Sequence, residues 1–234
     1  MRGIFTPRMD ILPPAQQRLW PELKSAAKLG FVLYGGTAIA LRLGHRASVD
    51  FDLFSERSLD RDAIRATFPF LGRATVLQDQ RNALTVLVAD GDSADTHVKV
   101  SFFGAIGFGR VGIPDQTEDG VLQVASLDDL MATKLKVILQ RAEAKDYRDI
   151  AELLKAGVSL PAGLAAAHEI FGPNFQPSES LKAMAYFDDG DLKTLSKDER
   201  NVLVKAVGAV RELPVVTIVS RQLAATADPI AGES

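Results

Sequence analysis

Short apolar runs and one acidic–apolar alternation fill the first half of the chain, and longer helical stripes fill the second. After Pro13-Pro14, the spacing of Leu19, Trp20, Leu23 and Ala27 predicts a helix over residues 15–28, ended by Gly30. Phe31-Val32-Leu33-Tyr34 is short, apolar and β-prone, so a buried strand is predicted there, broken by Gly35-Gly36. Residues 37–43 predict a short helix stopped by Gly44. From Val49 to Phe54 apolar and acidic residues alternate, the mark of a strand with one face buried and the other presented. A helix over 59–67 follows Ser58. Three further strands are predicted over 73–78, 83–89 and 97–103, the last two flanking the turn signal Asp90-Gly91-Asp92-Ser93, and another over 121–124.

At Ser126 the period becomes helical. Leu127, Leu130, Met131, Leu135, Ile138 and Leu139 form an apolar stripe, and Ser126 with Asp129 has the spacing of a helix cap. A second helix spans 145–155 and ends at Gly157. Beyond Pro161 the chain reads as wholly helical, in segments divided by Gly172-Pro173, Asp188-Asp189-Gly190 and Pro214. The fold class is therefore α/β (α+β): a small mixed sheet flanked by helices over 1–125, then a helical region over 126–223 that closes a cleft. The tail, 224–234, is expected to fray.

A chain of 234 residues suits one sizeable core, or a core with a smaller helical appendage. The net charge of -3 gives no general attraction to nucleic acid or an anionic membrane, so contact with RNA needs a local basic patch. The absence of cysteine removes disulfides and thiolate metal sites and fits a reducing cytosol. Residues 1–17 lack the apolar run of a signal peptide, and no stretch of about 18 apolar residues occurs. A cytoplasmic protein without a membrane partner is expected.

The chemistry concentrates between Tyr34 and Phe54. Adjacent glycines after a strand let backbone approach a ligand closely, and a helix start offers free N–H groups and a positive dipole end to phosphate. Thr37 adds a hydroxyl at the same place. Asp50 and Asp52 are two apart on a strand and share a face. Two carboxylates that close repel unless a cation lies between them, and oxygen-only ligands favour Mg2+ or Mn2+. A phosphate cradle beside such an ion is what phosphoryl chemistry on a nucleotide requires.

A glycine pair with Thr, followed after a dozen or so residues by Asp-x-Asp, resembles the nucleotidyltransferase superfamily signature. The fuller string GGTAIALRLGHRASVDFDLFS resembles the AbiEii/AbiGii-type branch, the toxin component of type IV toxin–antitoxin and abortive-infection systems. Lys134-Leu135-Lys136, Arg141 and Lys145-Asp146-Tyr147-Arg148-Asp149-Ile150 are similar to its later motifs, and the phrase over 181–189 to its helical tail. The resemblance implies that Gly35, Gly36, Thr37 and Arg46 meet the nucleoside triphosphate, that Asp50 and Asp52 bind the metal and carry catalysis, and that Lys134 reaches the phosphates. Lys145 and Asp149, i and i+4 on one helix face, would line the nucleotide pocket or support its acids. It further implies an RNA acceptor such as tRNA, or a protein acceptor, and a cognate antitoxin.

One position departs from the superfamily. The strand that carries a third acid elsewhere reads His97-Val98-Lys99-Val100-Ser101 here, and Ser101 takes the acidic slot. Base duty then falls to Asp50 or Asp52 alone, or to Asp92 or Asp95, or the chain binds nucleotide without turning it over. Dehalogenase-type phosphatases share Asp-x-Asp but follow it with Thr where Phe54 stands, and Asp-x-Asp glycosyltransferases do not explain Gly35-Gly36-Thr37. Asp50→Ala is expected to abolish nucleotide transfer with the fold intact; transfer assays beside circular dichroism check both halves, and an active, metal-responsive variant counts against the site.

Overall fold

The computed structural model describes residues 3–90 and 93–225, apart from the side chains of 93–96. Within them the strands are β1 (Ile4–Phe5), β2 (Val32–Tyr34), β3 (Asp50–Phe54), β4 (Ala74–Gln80), β5 (Ala83–Asp90), β6 (Ser93–Phe103), β7 (Asp115–Thr117) and β8 (Gln123–Val124). They form one mixed sheet in the order β1-β7-β8-β2-β3-β6-β5-β4. β3 lies inside it, antiparallel to β2 and parallel to β6. Alternation along β3 works as expected: Phe51 and Leu53 are fully buried, while Asp50 and Asp52 lie on the other face.

The helices are α1 (Pro14–Leu19), α2 (Gly35–Leu43), α3 (Arg61–Thr67), α4 (Leu127–Val137), α5 (Ala144–Lys155), α6 (Leu160–Phe171), α7 (Pro177–Met184) and α8 (Lys197–Ala209). The Ser126 hydroxyl caps α4 by accepting the Asp129 N–H at 3.1 Å. One continuous apolar core joins Leu33, Ile39 and Leu53 of the sheet half to Leu135, Ile150 and Leu164 of the helical half.

Three elements differ from the sequence expectation. The helix expected over 15–28 stays α-helical only as α1 and then tightens to a 3-10 helix over Trp20–Leu29. Pro21 lacks an N–H and crowds the carbonyl four residues earlier, so the α pattern stops there. α3 begins at Arg61 because Asp60, not Ser58, accepts the Ala63 N–H at 2.9 Å. The chain after α8 is not helical. Pro214-Val215-Val216-Thr217-Ile218-Val219 is rich in β-branched residues, which disfavour helix, and it runs without regular structure to a bridge between Arg110 and Ser220. β1 and β7 were not anticipated, since two or three residues carry no readable period. Gly91 and Asp92 of the turn signal, with residues 226–234 of the tail, lie outside the described residues. Ala225, just before them, exchanges hydrogen bonds of 2.9 and 2.8 Å with the Gln123 side chain.

α4 lies against α6, where a Cβ on Gly163 would meet Met131 Cγ at 2.4 Å and Leu135 Cδ1 at 3.3 Å. Leu135 is fully buried in this contact. Leu135→Ala is expected to cost ~2–5 kcal/mol, seen as a lower urea midpoint with an unchanged slope.

Candidate active site

β2 ends at Tyr34 and α2 starts at once, without a loop. Gly35 makes that corner with φ +76°, a left-handed conformation that favours glycine. A Cβ there would stand 2.6 Å from Asp52 Oδ2. Glycine at this position therefore lets the start of α2 close directly onto the second acid of β3.

The two acids of β3 have unequal surroundings. Asp50 pairs with Lys99 Nζ at 2.9 Å, its neighbour in register on β6. No hydrogen bond or ion pair from the described residues reaches the Asp52 carboxylate, and burial, then the Asp50 charge, push its pKa up against the pull of Lys99, Lys134 and Arg141. Ser101 lies opposite Asp52 in register, buried, with its hydroxyl accepting from Thr85 at 3.3 Å. Asp92 and the side chain of Asp95 lie outside the described residues.

This donor set suits a divalent ion. Two carboxylate oxygen donors on one sheet face, one without a partner, match Mg2+ or Mn2+, which takes its other ligands from phosphate and water. No cluster of three or more His, Cys, Asp or Glu residues forms a self-sufficient cage among the described residues.

A wall of cations faces these acids, and two buried carboxylates on α5 hold it in place. Asp149 accepts from His45 Nε2 at 2.8 Å and from Arg46 Nε and Nη2 at 2.7 and 2.9 Å, and it forms an ion pair with Lys134 Nζ at 2.7 Å. Asp146 accepts from Lys134 Nζ at 2.5 Å and Arg141 Nε at 2.9 Å. Burial pushes both acids up, but it is overcome. Hydrogen bonds from His45 and Arg46 and the charge of Lys134 hold Asp149 well below the usual carboxylate range. The Lys134 charge and the Arg141 hydrogen bond lower Asp146.

A cleft of about 660 Å³ opens beside the glycine pair. Its lining holds four rings, Tyr34, Phe54, Phe108 and Phe171, together with Gly35, Gly36, Asp52, Lys134 and Arg141. A polar pocket of about 240 Å³ adjoins it, with Thr37, Arg46, Asp50, Lys99 and Lys145 in its wall. Gly36, Asp52, Lys134 and Arg141 border both, so Asp52 stands at the junction.

Every residue expected at the site thus borders one of these two spaces, except Asp149, which lies behind the wall. Thr37 lines the polar pocket, but its hydroxyl is engaged within the fold: it lies 2.7 Å from Ser48 Oγ and donates to the Asp50 carbonyl, tying α2 to β3. Lys145 and Asp149 do not meet despite their i,i+4 spacing; Lys145 pairs with Glu143 at 2.7 Å. Asp146 was not among the site residues expected from sequence. Its signal was the i,i+3 spacing to Asp149, which puts both acids on one helix face. Nothing in the sequence ties Phe108 or Phe171 to the glycine pair.

Because the folded pKa of Asp149 is depressed, its contribution to stability is complete above the unfolded value of ~3.9 and is lost as pH falls through the depressed value. Asp149→Asn is expected to cost ~3–5 kcal/mol at pH 7, since it leaves buried cations without their counter-charge. The variant also loses less stability than the native chain between pH 5 and pH 2, which urea titrations across that range measure.

The chain matches a family model described as nucleotidyl transferase AbiEii toxin, type IV TA system, over residues 18–215. It is 31% identical over 162 residues to the uncharacterized protein aq_aa25 of Aquifex aeolicus (strain VF5), covering 68% of this chain and 74% of that one. Its fold is similar to that of MenT4, the nucleotidyltransferase toxin Rv2826c of Mycobacterium tuberculosis H37Rv, with a TM-score of 0.51 at 14% identity, covering 85% of this chain and 92% of the other. With the glycine corner, the paired acids of β3 and the basic wall already in place, the match over residues 18–215 settles the kinship: the chain belongs to the AbiEii nucleotidyltransferase toxin family of type IV toxin–antitoxin systems.

Proposed function

We propose that this nucleotidyltransferase moves a nucleoside monophosphate from a triphosphate to a hydroxyl of an RNA acceptor such as tRNA, with Asp50 and Asp52 as its metal-binding and catalytic acids. The observation that carries the reading is Asp52: a carboxylate held against a glycine corner without a partner, at the meeting point of a nucleotide-sized cleft and a cationic pocket. A protein that keeps a partly desolvated carboxylate beside a second acid, without a hydrogen-bond donor of its own, does so at a cost in stability, which functional sites characteristically carry.

A divalent ion on Asp50 and Asp52 would supply charge neutralisation at the reacting phosphate. The chain's own groups do the rest. Gly35 and Gly36 bring the start of α2 close to the phosphates. Lys134 and Arg141 border both spaces and offset the charge that builds on the leaving pyrophosphate. The polar pocket takes the acceptor, and Arg46, Lys99 and Lys145 give it the local basic character that a chain of net charge -3 needs to meet RNA. With Ser101 opposite Asp52, the hydroxyl proton goes to Asp50, whose side of the junction is the polar pocket.

Family membership adds the biological setting: a toxin, opposed by a cognate antitoxin that lowers its expression. The place of action is the cytoplasm, in keeping with the absence of cysteine. No helix among the described residues is long and apolar enough to cross a membrane.

Ser101 favours a second reading, a nucleotide-binding module without turnover. Incubation with each α-labelled triphosphate, Mg2+ and total tRNA separates the two: labelled RNA and free pyrophosphate support transfer, and binding without release supports the module. Asp52→Asn is expected to slow labelling by ~100-fold or more. The raised pKa of Asp52 means that its charged form opposes folding above that pKa, so the same variant should melt higher than the native chain at pH 7 without divalent ion, and should gain nothing from added Mg2+. A fully active Asp52→Asn protein excludes the proposed role.

A further inference from the structure

We infer that the aromatic end of the cleft takes the nucleobase, with Phe108 and Phe171 as its stacking surface, and that the C-terminal segment over 216–223 buttresses the loop that holds Phe108 there. The inference rests on the reading above, in which the triphosphate lies between Asp52 and the basic wall.

The residues of α4 and the turn after it divide the cleft. Lys134 and Arg141, seven apart, form the stripe that borders both spaces and contacts the acids of α5. Thr133, Val137 and Gln140, at i, i+4 and i+7, line only the larger cleft. Lys136 lies further round, with its Nζ 6.0 Å from the centre of the Phe171 ring and donating to the Asn174 carbonyl. Asp52, Lys134 and Arg141 therefore face the polar pocket as well, whereas the rings border only the larger cleft, with Lys136 beside them. The rings form a connected set: Tyr34 stacks on Phe54 at 5.0 Å, Phe108 sits 6.3 Å from both, and Phe171 closes edge-on to Phe108 at 5.3 Å. Phe108 and Phe171 are only half-buried, so they keep ring surface open. The volume of about 660 Å³ suits a nucleoside as well as its phosphates.

Every base has a π face, so stacking on these rings raises affinity without choosing a base. The choice falls to the polar groups that line the same cleft, Lys136 and the exposed Gln140 and Asn174 amides.

Phe108 stands in the loop between β6 and β7, and the C-terminal segment sets where that loop lies. The Arg110 N–H donates to the Ser220 carbonyl and the Val219 N–H to the Arg110 carbonyl, both at 2.9 Å. Arg110 Nε donates to the Gln222 carbonyl at 2.9 Å. Leu223 is fully buried, with its N–H on Glu56 at 3.1 Å. A Cβ on Gly109 would stand 2.5 Å from the Ser220 carbonyl oxygen and 2.6 Å from Ile218 Cγ2, so a side chain there would force loop and segment apart. Gly109 is a positioning residue, one place from the ring it positions.

The test is equilibrium binding of two probes in Mg2+, a nucleoside triphosphate and inorganic tripolyphosphate, which has no base. Phe108→Ala, Phe171→Ala and Gly109→Val are each expected to weaken triphosphate binding roughly tenfold or more while leaving tripolyphosphate unchanged. Phe108→Tyr, which keeps the ring, should bind both probes as the native chain does. Native-like triphosphate binding by both alanine variants overturns the inference. So does a parallel loss of both probes, which would mark a collapsed cleft. A native chain that binds tripolyphosphate as tightly as the triphosphate overturns the base site alone, whereas one that binds neither removes the nucleotide reading beneath it.

Discussion

Asp149 is fully buried, yet it accepts hydrogen bonds from His45 and Arg46 ahead of β3 and pairs with the charge of Lys134 on α4. Asp146, three residues earlier, takes Lys134 again and adds Arg141. These two carboxylates join two separate stretches of chain, His45-Arg46 and Lys134 to Arg141, to one face of α5. Their desolvation is tolerable only because these cations arrive with the right geometry, and removing one partner leaves a buried carboxylate short of compensating charge. The clasp therefore fixes the helical half against the sheet half and decides where the basic wall of the cleft stands.

Across that wall, the same side chain meets the opposite fate. Asp149 is surrounded by donors and its pKa is driven down; Asp52 is half-buried beside Asp50 without a donor of its own and its pKa is driven up. The first carboxylate stabilises the fold and the second opposes it. Such a contrast within one site separates groups that build a surface from groups that act at it. Lys134 links the two, since it spans both acids of α5 while bordering the cleft where Asp52 stands.

The cleft inherits its polarity from this arrangement. Its charged groups come from β3 and the Lys134–Arg141 stripe beside the start of α2, and its rings from β2, β3, the loop before β7 and the end of α6.

Much of this was written in local pattern. Alternation over Val49–Phe54 set the shared face of Asp50 and Asp52, because a strand's side-chain period is two whatever surrounds it. The glycine pair marked the corner at Gly35, since few other residues accept its φ, and the apolar stripe from Leu127 marked α4. Family kinship was legible for the same reason: those motifs are contiguous. Tertiary structure decided what depends on residues far apart in the chain. It paired Arg46 with Asp149, set Lys99 against Asp50, and turned the Thr37 hydroxyl inward to Asp50. It also drew the segment after Pro214 out of the expected helix and onto Arg110. Phe108 and Phe171 became neighbours of the glycine corner only through folding, because aromatic contacts carry no spacing rule along the sequence and are chosen by the shape of the core they complete.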